Sequence, residues 1–350
     1  MKLLDSLNKL LFSFQQKRQN DNFLGNVLVV SNTGFGDTIL STPAIKTLRK
    51  NFSNEKIIFL VNKKYSTLFL RYKYVDQIWE YSGGYINLFS LIIRCRINRI
   101  HTIMLFHSNS PEDIFVSLSS GAINILKCTN NVYHPYKKLF VNKLEHQEKH
   151  NIEKKIDLVR YFNPKVIDRE MSISDHYYSQ VPVYYFPRQE KIIGIQLGAQ
   201  DTYKIWPVEN VIELSQYLAN KGYFLIFFGA TQLENEMMLN IEKVINFSSF
   251  HNLVGKTKIN ELPSILKQLN LLLTNDTGIL HLAIAMKVKS LSLFGPTSCE
   301  EFGAYQDKDL HSHIQKNGFF VNDKPKKQRL QDGIKLITVE EVISKVEDIL

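Results

Sequence analysis

The sequence predicts an α/β protein built from two parallel-sheet domains, and three observations carry that expectation. Short continuous apolar runs such as Asn26-Val-Leu-Val-Val-Ser31 and Lys56-Ile-Ile-Phe-Leu-Val61 lack alternation, as strands buried on both faces do. Each run leads through a turn into a segment of helical spacing, the order of strand-helix-strand units. The series then restarts after a composition change near residues 178–190, where Pro182 and Pro187 mark an interdomain linker. A chain of 350 residues also exceeds one ordinary core and suggests two domains of roughly 150 residues each. Two such sheets predict a deep cleft at the strands' carboxyl ends, where ligands bind.

Composition narrows the function classes. Hydrophobic residues make up 44% and charged residues 22%, a soluble globular balance without 18 consecutive apolar residues to span a membrane. The opening Met1 to Lys9 interrupts its apolar residues with Asp, Asn and Lys and is not patterned as a signal peptide, so a cytoplasmic location is expected. Three cysteines, Cys95, Cys128 and Cys299, are widely spaced and odd in number. Neither a disulfide framework nor a zinc site is expected, and no HExxH pattern suggests another metal centre. The net charge of +9 is unevenly placed: residues 1–189 hold 26 lysines and arginines against 15 acids, while residues 190–350 hold 17 against 19. The first half is therefore expected to meet something anionic. No zinc finger, RNP-type strand or helix-turn-helix pattern accompanies the charge, which argues against nucleic acid.

In chain order, residues 1–24 read as an amphipathic extension, with Leu3, Leu7, Leu10 or Leu11, and Phe14 on one face. It either packs on the protein or lies on an anionic membrane leaflet. The first domain, residues 25–180, opens with the strand Asn26–Ser31 and a helical segment Ile39 to Arg49 containing Pro43. The strand Lys56–Val61 follows, with further units around 75–81, 86–95, 102–106 and 122–126. Residues 133–150 form a basic, aromatic stretch, either an acceptor-side loop or a solvated surface. The second domain, residues 190–330, alternates strands at 191–197, 223–228, 269–273 and 290–294 with helices at 208–220, 232–241 and 259–268. A capping box, Thr338-Val-Glu-Glu341, starts a final helix within residues 335–350.

The strand ends carry the candidate chemistry. Thr274-Asn-Asp-Thr-Gly278 joins an apolar strand to a helix, whose first amides sit at the positive end of the helix dipole and suit a diphosphate held by Thr277 and Gly278. Alternatively Asp276 or Thr277 caps a buried helix. Gly198 to Lys204, Gly229 to Glu234 and Gly295-Pro-Thr297 end neighbouring strands, so Lys204 supplies a fixed positive charge or is a surface lysine. Glu234 or Glu236 offers a carboxylate to a ribose, or Glu234 is an ordinary helix-start acid. In the first domain Asp37 follows Gly34-Phe35-Gly36 at a strand-to-helix turn, where it caps a helix or removes a proton from an acceptor hydroxyl.

Gly36-Asp37 with Thr42-Pro43, Lys204-Ile-Trp-Pro207, Asn275-Asp-Thr-Gly278 with His281-Leu-Ala283, and Phe294-Gly-Pro-Thr297 together resemble glycosyltransferase family 9, the ADP-heptose:lipopolysaccharide heptosyltransferases. The resemblance covers residues 26–350 and implies a GT-B fold, two Rossmann-like α/β domains facing across a cleft, with the last helix crossing back to the first domain. It implies an inverting, metal-independent transfer of heptose or a related sugar from a nucleotide sugar, expected to be ADP-heptose, to an anionic lipopolysaccharide or lipooligosaccharide acceptor. No cofactor is expected. Asp37 matches the general base, with Gly34, Gly36 and Thr38 forming its turn. Lys204 matches the lysine at the donor phosphates, Thr277 and Gly278 the diphosphate turn, and Asp276 the acid near the donor sugar. His281 either contacts the donor or braces the turn, and Glu234 meets the nucleoside, with Thr231 and Glu236 as alternatives. The chain departs from the family in its extension before the first strand, in residues 303–321 and around Gln200 to Tyr203. A member acting on a protein or capsular glycan, or a non-catalytic nucleotide-binding assembly module, are the alternatives.

Overall fold

The computed structural model describes residues 6–11, 22–107, 110–127, 149–176, 186, 191–245, 249–316 and 332–350. The chain divides into two compact units, Met1–Tyr177 and Tyr178–Leu350. Most of the expected linker at 178–190 and of the basic stretch at 133–150 lies outside the described residues, as do 1–5 and 12–21 of the extension.

In the first unit residues 6–11 form a helix, α1. Strand β1 (Asn26–Ser31) leads into α2 (Phe35–Ile39) and α3 (Thr42–Asn51), followed by β2 (Ile57–Asn62) and β3 (Gln77–Tyr81). Then come α4 (Tyr85–Ile97), β4 (Ile100–Leu105), α5 (Pro111–Ser119), β5 (Asn124–Lys127) and α6 (Asn151–Arg160). The sheet order is β3-β2-β1-β4-β5 and its pairings are parallel. Val27 to Ser31 are buried throughout, as a central strand with helices on both faces requires. Alternate residues Leu28, Val30, Ile58, Leu60, Ile103 and Leu105 face the core made with α4 and α5.

The helix expected at 39–49 is α3, three residues later at its start, and a separate short helix, α2, precedes it. Pro43, in the first turn of α3, has no N–H to continue α2, so the chain turns at Leu40-Ser41 and starts again. The Thr42 hydroxyl donates to the Ile39 carbonyl at 2.7 Å across that break. After α6 the chain returns along α3, where Lys46 and Lys50 pair with Asp168 at 3.0 and 2.7 Å. Burial favours the neutral Asp168 acid, but the two ammonium groups outweigh it and hold the carboxyl below its ordinary value.

The second unit contains β6 (Ile192–Gln196), α7 (Val208–Asn220), β7 (Phe224–Phe228), α8 (Gln232–Glu242), β8 (Phe250–Asn252), α9 (Leu262–Leu266) and β9 (Leu271–Asn275). It continues with α10 (Gly278–Ala285), β10 (Ser290–Phe294), α11 (Cys299–Phe302), β11 (His311–Gln315), α12 (Asp332–Lys335) and α13 (Val339–Ile349). Its parallel sheet runs β11-β10-β9-β6-β7-β8. Read from β8, this is the doubly wound order 3-2-1-4-5-6; the first sheet has the order 3-2-1-4-5. In each sheet the order reverses between the first and fourth strands, at β1/β4 and β6/β9.

The expected capping box at Thr338 and Glu341 is present. The final helix was expected to cross back to the first domain; its buried face, Val339, Val342 and Val346, lies in the core of the second unit. Each such valine contributes about 1.5–3 kcal/mol on burial.

Strand β11 carries a titration consequence. His311 begins it beside Ser290, whose hydroxyl is 2.9 Å from the His311 Nδ1. Burial lowers the imidazole to a pKa of about 4, against the attraction of Asp307. The folded state thus binds its proton less readily than the unfolded chain, whose histidine titrates near 6.5. Its stabilising contribution is complete above that value and falls as pH drops toward 4, by on the order of 2 kcal/mol. His311→Gln is therefore expected to show a shallower loss of unfolding free energy between pH 7 and pH 4 than the wild type, measured by urea titration.

Candidate active site

The sequence-derived residues form one constellation in each unit: Asp37 at the β1/β4 switch point, and Lys204 and Asp276 at β6/β9 with Thr231 and Glu234 just beyond β7. In the first unit, β1 delivers Asn32, Thr33 and Gly34 to the start of α2, with Asp37 in its first turn. No side chain caps α2, so Asp37 is not the helix cap that the sequence also allowed. Its backbone carbonyl instead accepts from the Ser41 hydroxyl at 2.7 Å. The Thr38 hydroxyl donates to the carbonyls of Ser31 and Gly34 at 3.0 and 2.8 Å, fastening the turn. A Cβ at Gly34 would lie 2.5 Å from Asp37 Oδ2, so the missing side chain is what leaves room for the carboxylate.

One partner of that carboxylate was not legible in the sequence. His107, just beyond β4, places Nε2 at 3.2 Å from Asp37 Oδ2. The Thr33 hydroxyl donates to the His107 carbonyl at 2.9 Å and ties the two strand ends together. Tyr65 donates to the Thr33 carbonyl at 2.6 Å. Burial, reinforced by the negative charge of Asp37, raises the Tyr65 phenol and keeps it protonated. Asp37 retains 22% side-chain exposure, enough for an incoming group to reach it.

In the second unit, Lys204 Nζ lies 2.6 Å from Asp276 Oδ2, with only 18% and 4% of the two side chains exposed. Burial alone would lower the Lys204 ammonium; contact with Asp276, aided by Tyr203 and Asp201, raises it above the ordinary lysine value. Lys204 is thus no surface lysine. Asn275 receives the Trp206 amide and donates to the Gly198 carbonyl, both at 3.3 Å, locking the lysine-bearing segment onto β9.

Neither Asp276 nor Thr277 caps α10, whose N-terminus has no side-chain cap. The Thr277 hydroxyl donates to Gln196 Oε1 at 2.9 Å instead. Gly278 is the first residue of α10, and His281 lies buried three residues along. Gln196, at the end of β6, also escaped the sequence reading. Its Oε1 accepts from Thr274 as well, and its Nε2 donates to Glu234 Oε1 at 3.1 Å. Glu234 is 4% exposed; its Oε2 accepts from the amides of Ala230 and Thr231 and the Thr231 hydroxyl, all at 2.8 Å. With the reciprocal bond to Thr231 this is a full capping box at the start of α8. The helix-start role is therefore realised in Glu234 and Thr231, and a ribose would have to take the place of Gln196 at Oε1. Glu236 accepts from Gln232 on the same helix. Gly198 and Gly229 permit the arrangement, since a Cβ at either would lie within 2.5 or 2.7 Å of the Glu234 side chain.

Chemically, the first constellation offers a carboxylate beside an imidazole. The second offers a buried cation next to an uncapped helix N-terminus, a pattern suited to phosphate.

A family model described as glycosyltransferase family 9 (heptosyltransferase) matches residues 131–328. Lipooligosaccharide heptosyltransferase 2 of Campylobacter jejuni serotype O:6 is 25% identical over 289 residues, covering 79% of this chain and 84% of that protein. Among solved structures, a family 9 glycosyltransferase of Veillonella parvula superposes with a TM-score of 0.73 at 20% identity, covering 93% of this chain and 97% of the other. The E. coli ADP-heptose lipopolysaccharide heptosyltransferase II gives a TM-score of 0.73 at 19% identity, with coverages of 93% and 98%. The expected fold class, two Rossmann-like parallel α/β units of the GT-B kind, is the one found.

Proposed function

Because the chain belongs to glycosyltransferase family 9, and is thereby a glycosyltransferase, we propose that it moves heptose or a related sugar from an ADP-linked donor to a lipopolysaccharide or lipooligosaccharide core. The transfer inverts the anomeric centre and uses no metal ion. Asp37 takes the proton of the acceptor hydroxyl as that oxygen forms its bond to the anomeric carbon, while the bond from that carbon to the diphosphate oxygen breaks. Lys204 and the amides at Thr277 and Gly278 offset the charge growing on the departing diphosphate. Asp276 holds Lys204 in place and faces the donor sugar, and His281 braces the turn from within α10. Glu234 meets the ribose of the nucleoside through Oε1, in place of Gln196.

The observation that supports this reading most is the close Lys204–Asp276 pair beside a helix start left uncapped because Thr277 bonds to Gln196. The acceptor class is an anionic glycolipid, matching the charge surplus of residues 1–189. We infer that the protein works in the cytoplasm at the inner membrane face, with residues 1–24 as one contact. No helix among the described residues is long and apolar enough to cross a membrane.

The test is a thermal-shift comparison of ADP, ADP-heptose and UDP-sugars on the full chain, followed by transfer to a heptose-deficient core. ADP at a hundred times its Kd should add about 2.7 kcal/mol to the stability. Stabilisation by UDP-sugars but not ADP would overturn the nucleotide, and donor binding without transfer would overturn the acceptor.

A further inference from the structure

We propose that the outer face of α4 is a docking surface for an anionic phospholipid bilayer. Helix α4 is apolar on both sides. Its inner residues Leu88, Leu91, Ile92 and Cys95 are buried in the core of the first unit. On its outer side Ile86, Phe89, Ile93 and Ile97 follow one another at steps of three, four and four and are 87%, 60%, 57% and 74% exposed. A helix on the surface of a globular protein normally turns charge outward. An apolar stripe in that position marks an interaction site.

The charges around the stripe indicate its partner. From residue 81 to residue 111 the chain has no acid, while Arg94, Arg96 and Arg99 cluster at the C-terminal end of α4. Arg94 lies over the Trp79 ring at 4.0 Å, which anchors the helix to β3. Arg96 and Arg99 are exposed. Aliphatic side chains bordered by cations of one sign suit a helix lying in the plane of an anionic headgroup layer. At 13 residues, α4 is too short to span the hydrocarbon core.

Helix α1 belongs to the same helical layer. Asn8 donates to the Pro111 carbonyl at the start of α5, and Leu11 packs on the cluster that buries the inner face of α4. The exposed Leu7 and Leu10 of α1 add apolar surface to that layer.

The test uses the full chain, without donor or acceptor, so its outcome is independent of the transferase reading. Co-sedimentation is measured with vesicles of equal parts phosphatidylcholine and phosphatidylglycerol, and with phosphatidylcholine alone. The wild type should bind the anionic vesicles, more weakly as salt rises. The triple variant Phe89→Ser, Ile93→Asn, Ile97→Ser should keep its melting temperature and lose at least about tenfold in partitioning. If that variant does not fold, Ile86→Asp at the most exposed position should by itself weaken binding, since an acid near a helix start is compatible with the helix. Wild-type partitioning in the folded variants would overturn the proposal. So would binding lost on deletion of residues 1–22 yet retained in the triple variant, or a wild-type dimer that the triple variant converts to monomer without any vesicle dependence.

Discussion

Asp37→Asn should lower sugar transfer by about 10²–10⁴-fold, the usual contribution of a general base, and leave the ADP-induced thermal shift unchanged. The carboxamide has the shape of the carboxylate and fits the space left open by Gly34. It also keeps an oxygen acceptor for His107, 3.2 Å away. What it loses is the ability to take a proton. The residues proposed for the donor lie on the second unit, in strand-end segments that make no use of Asp37. Initial rates with a heptose-deficient acceptor, measured alongside ADP melting curves, separate the two effects. Wild-type turnover in the variant would remove Asp37 as the base.

Lys204→Ala should be costly in a different way. Asp276 is 4% exposed and would be left as a buried charge without its cation, a loss of about 3–5 kcal/mol. The melting temperature should fall by on the order of 10 °C, and ADP should bind more weakly because the fixed charge beside α10 is gone. The double variant Lys204→Ala, Asp276→Ala tells the two roles apart. It should regain much of the melting temperature, since no unpaired charge remains, while ADP binding stays weak. Recovery of both would make Lys204 a purely structural residue. The pH dependence follows from the raised lysine pKa: the pair's contribution is complete below the ordinary value of 10.5 and is lost as pH rises through the higher folded-state value.

Most of the fold was legible because each buried strand is a continuous apolar run between turn residues. Ser290–Phe294 and Val208–Asn220 lie where the residue pattern puts them, and other boundaries move by one to three residues. β11 was missed because His-Ser-His-Ile-Gln is an edge strand with polar side chains and no apolar run. α6 was missed because only Ile152, Ile156, Leu158 and Val159 of its ten residues are apolar, although Asn151 and Lys155 are buried alongside them. The candidate site was legible where its residues come as local motifs, as with Lys204 and Asp276, which the fold brings together. His107 and Gln196 carry no motif. They become neighbours of Asp37 and Thr277 only because β4 lies against β1 and β6 against β9. A sequence displays the ends of strands, and their order in the sheet decides which ends meet.

Gln196 shows what that order makes possible. Two hydroxyl donors, from Thr274 and Thr277, converge on the oxygen of its amide, and a carboxylate, Glu234, faces its nitrogen. The side chain therefore has a fixed sense and cannot be turned end for end without putting donor against donor and oxygen against carboxylate. A glutamate of the same shape would set two like charges face to face, and a leucine of similar size would strand three polar groups. The amide thus acts as a polarised tie between the starts of α8 and α10. One side chain thus links the Thr277 hydroxyl before α10 to the Glu234 carboxylate in the first turn of α8.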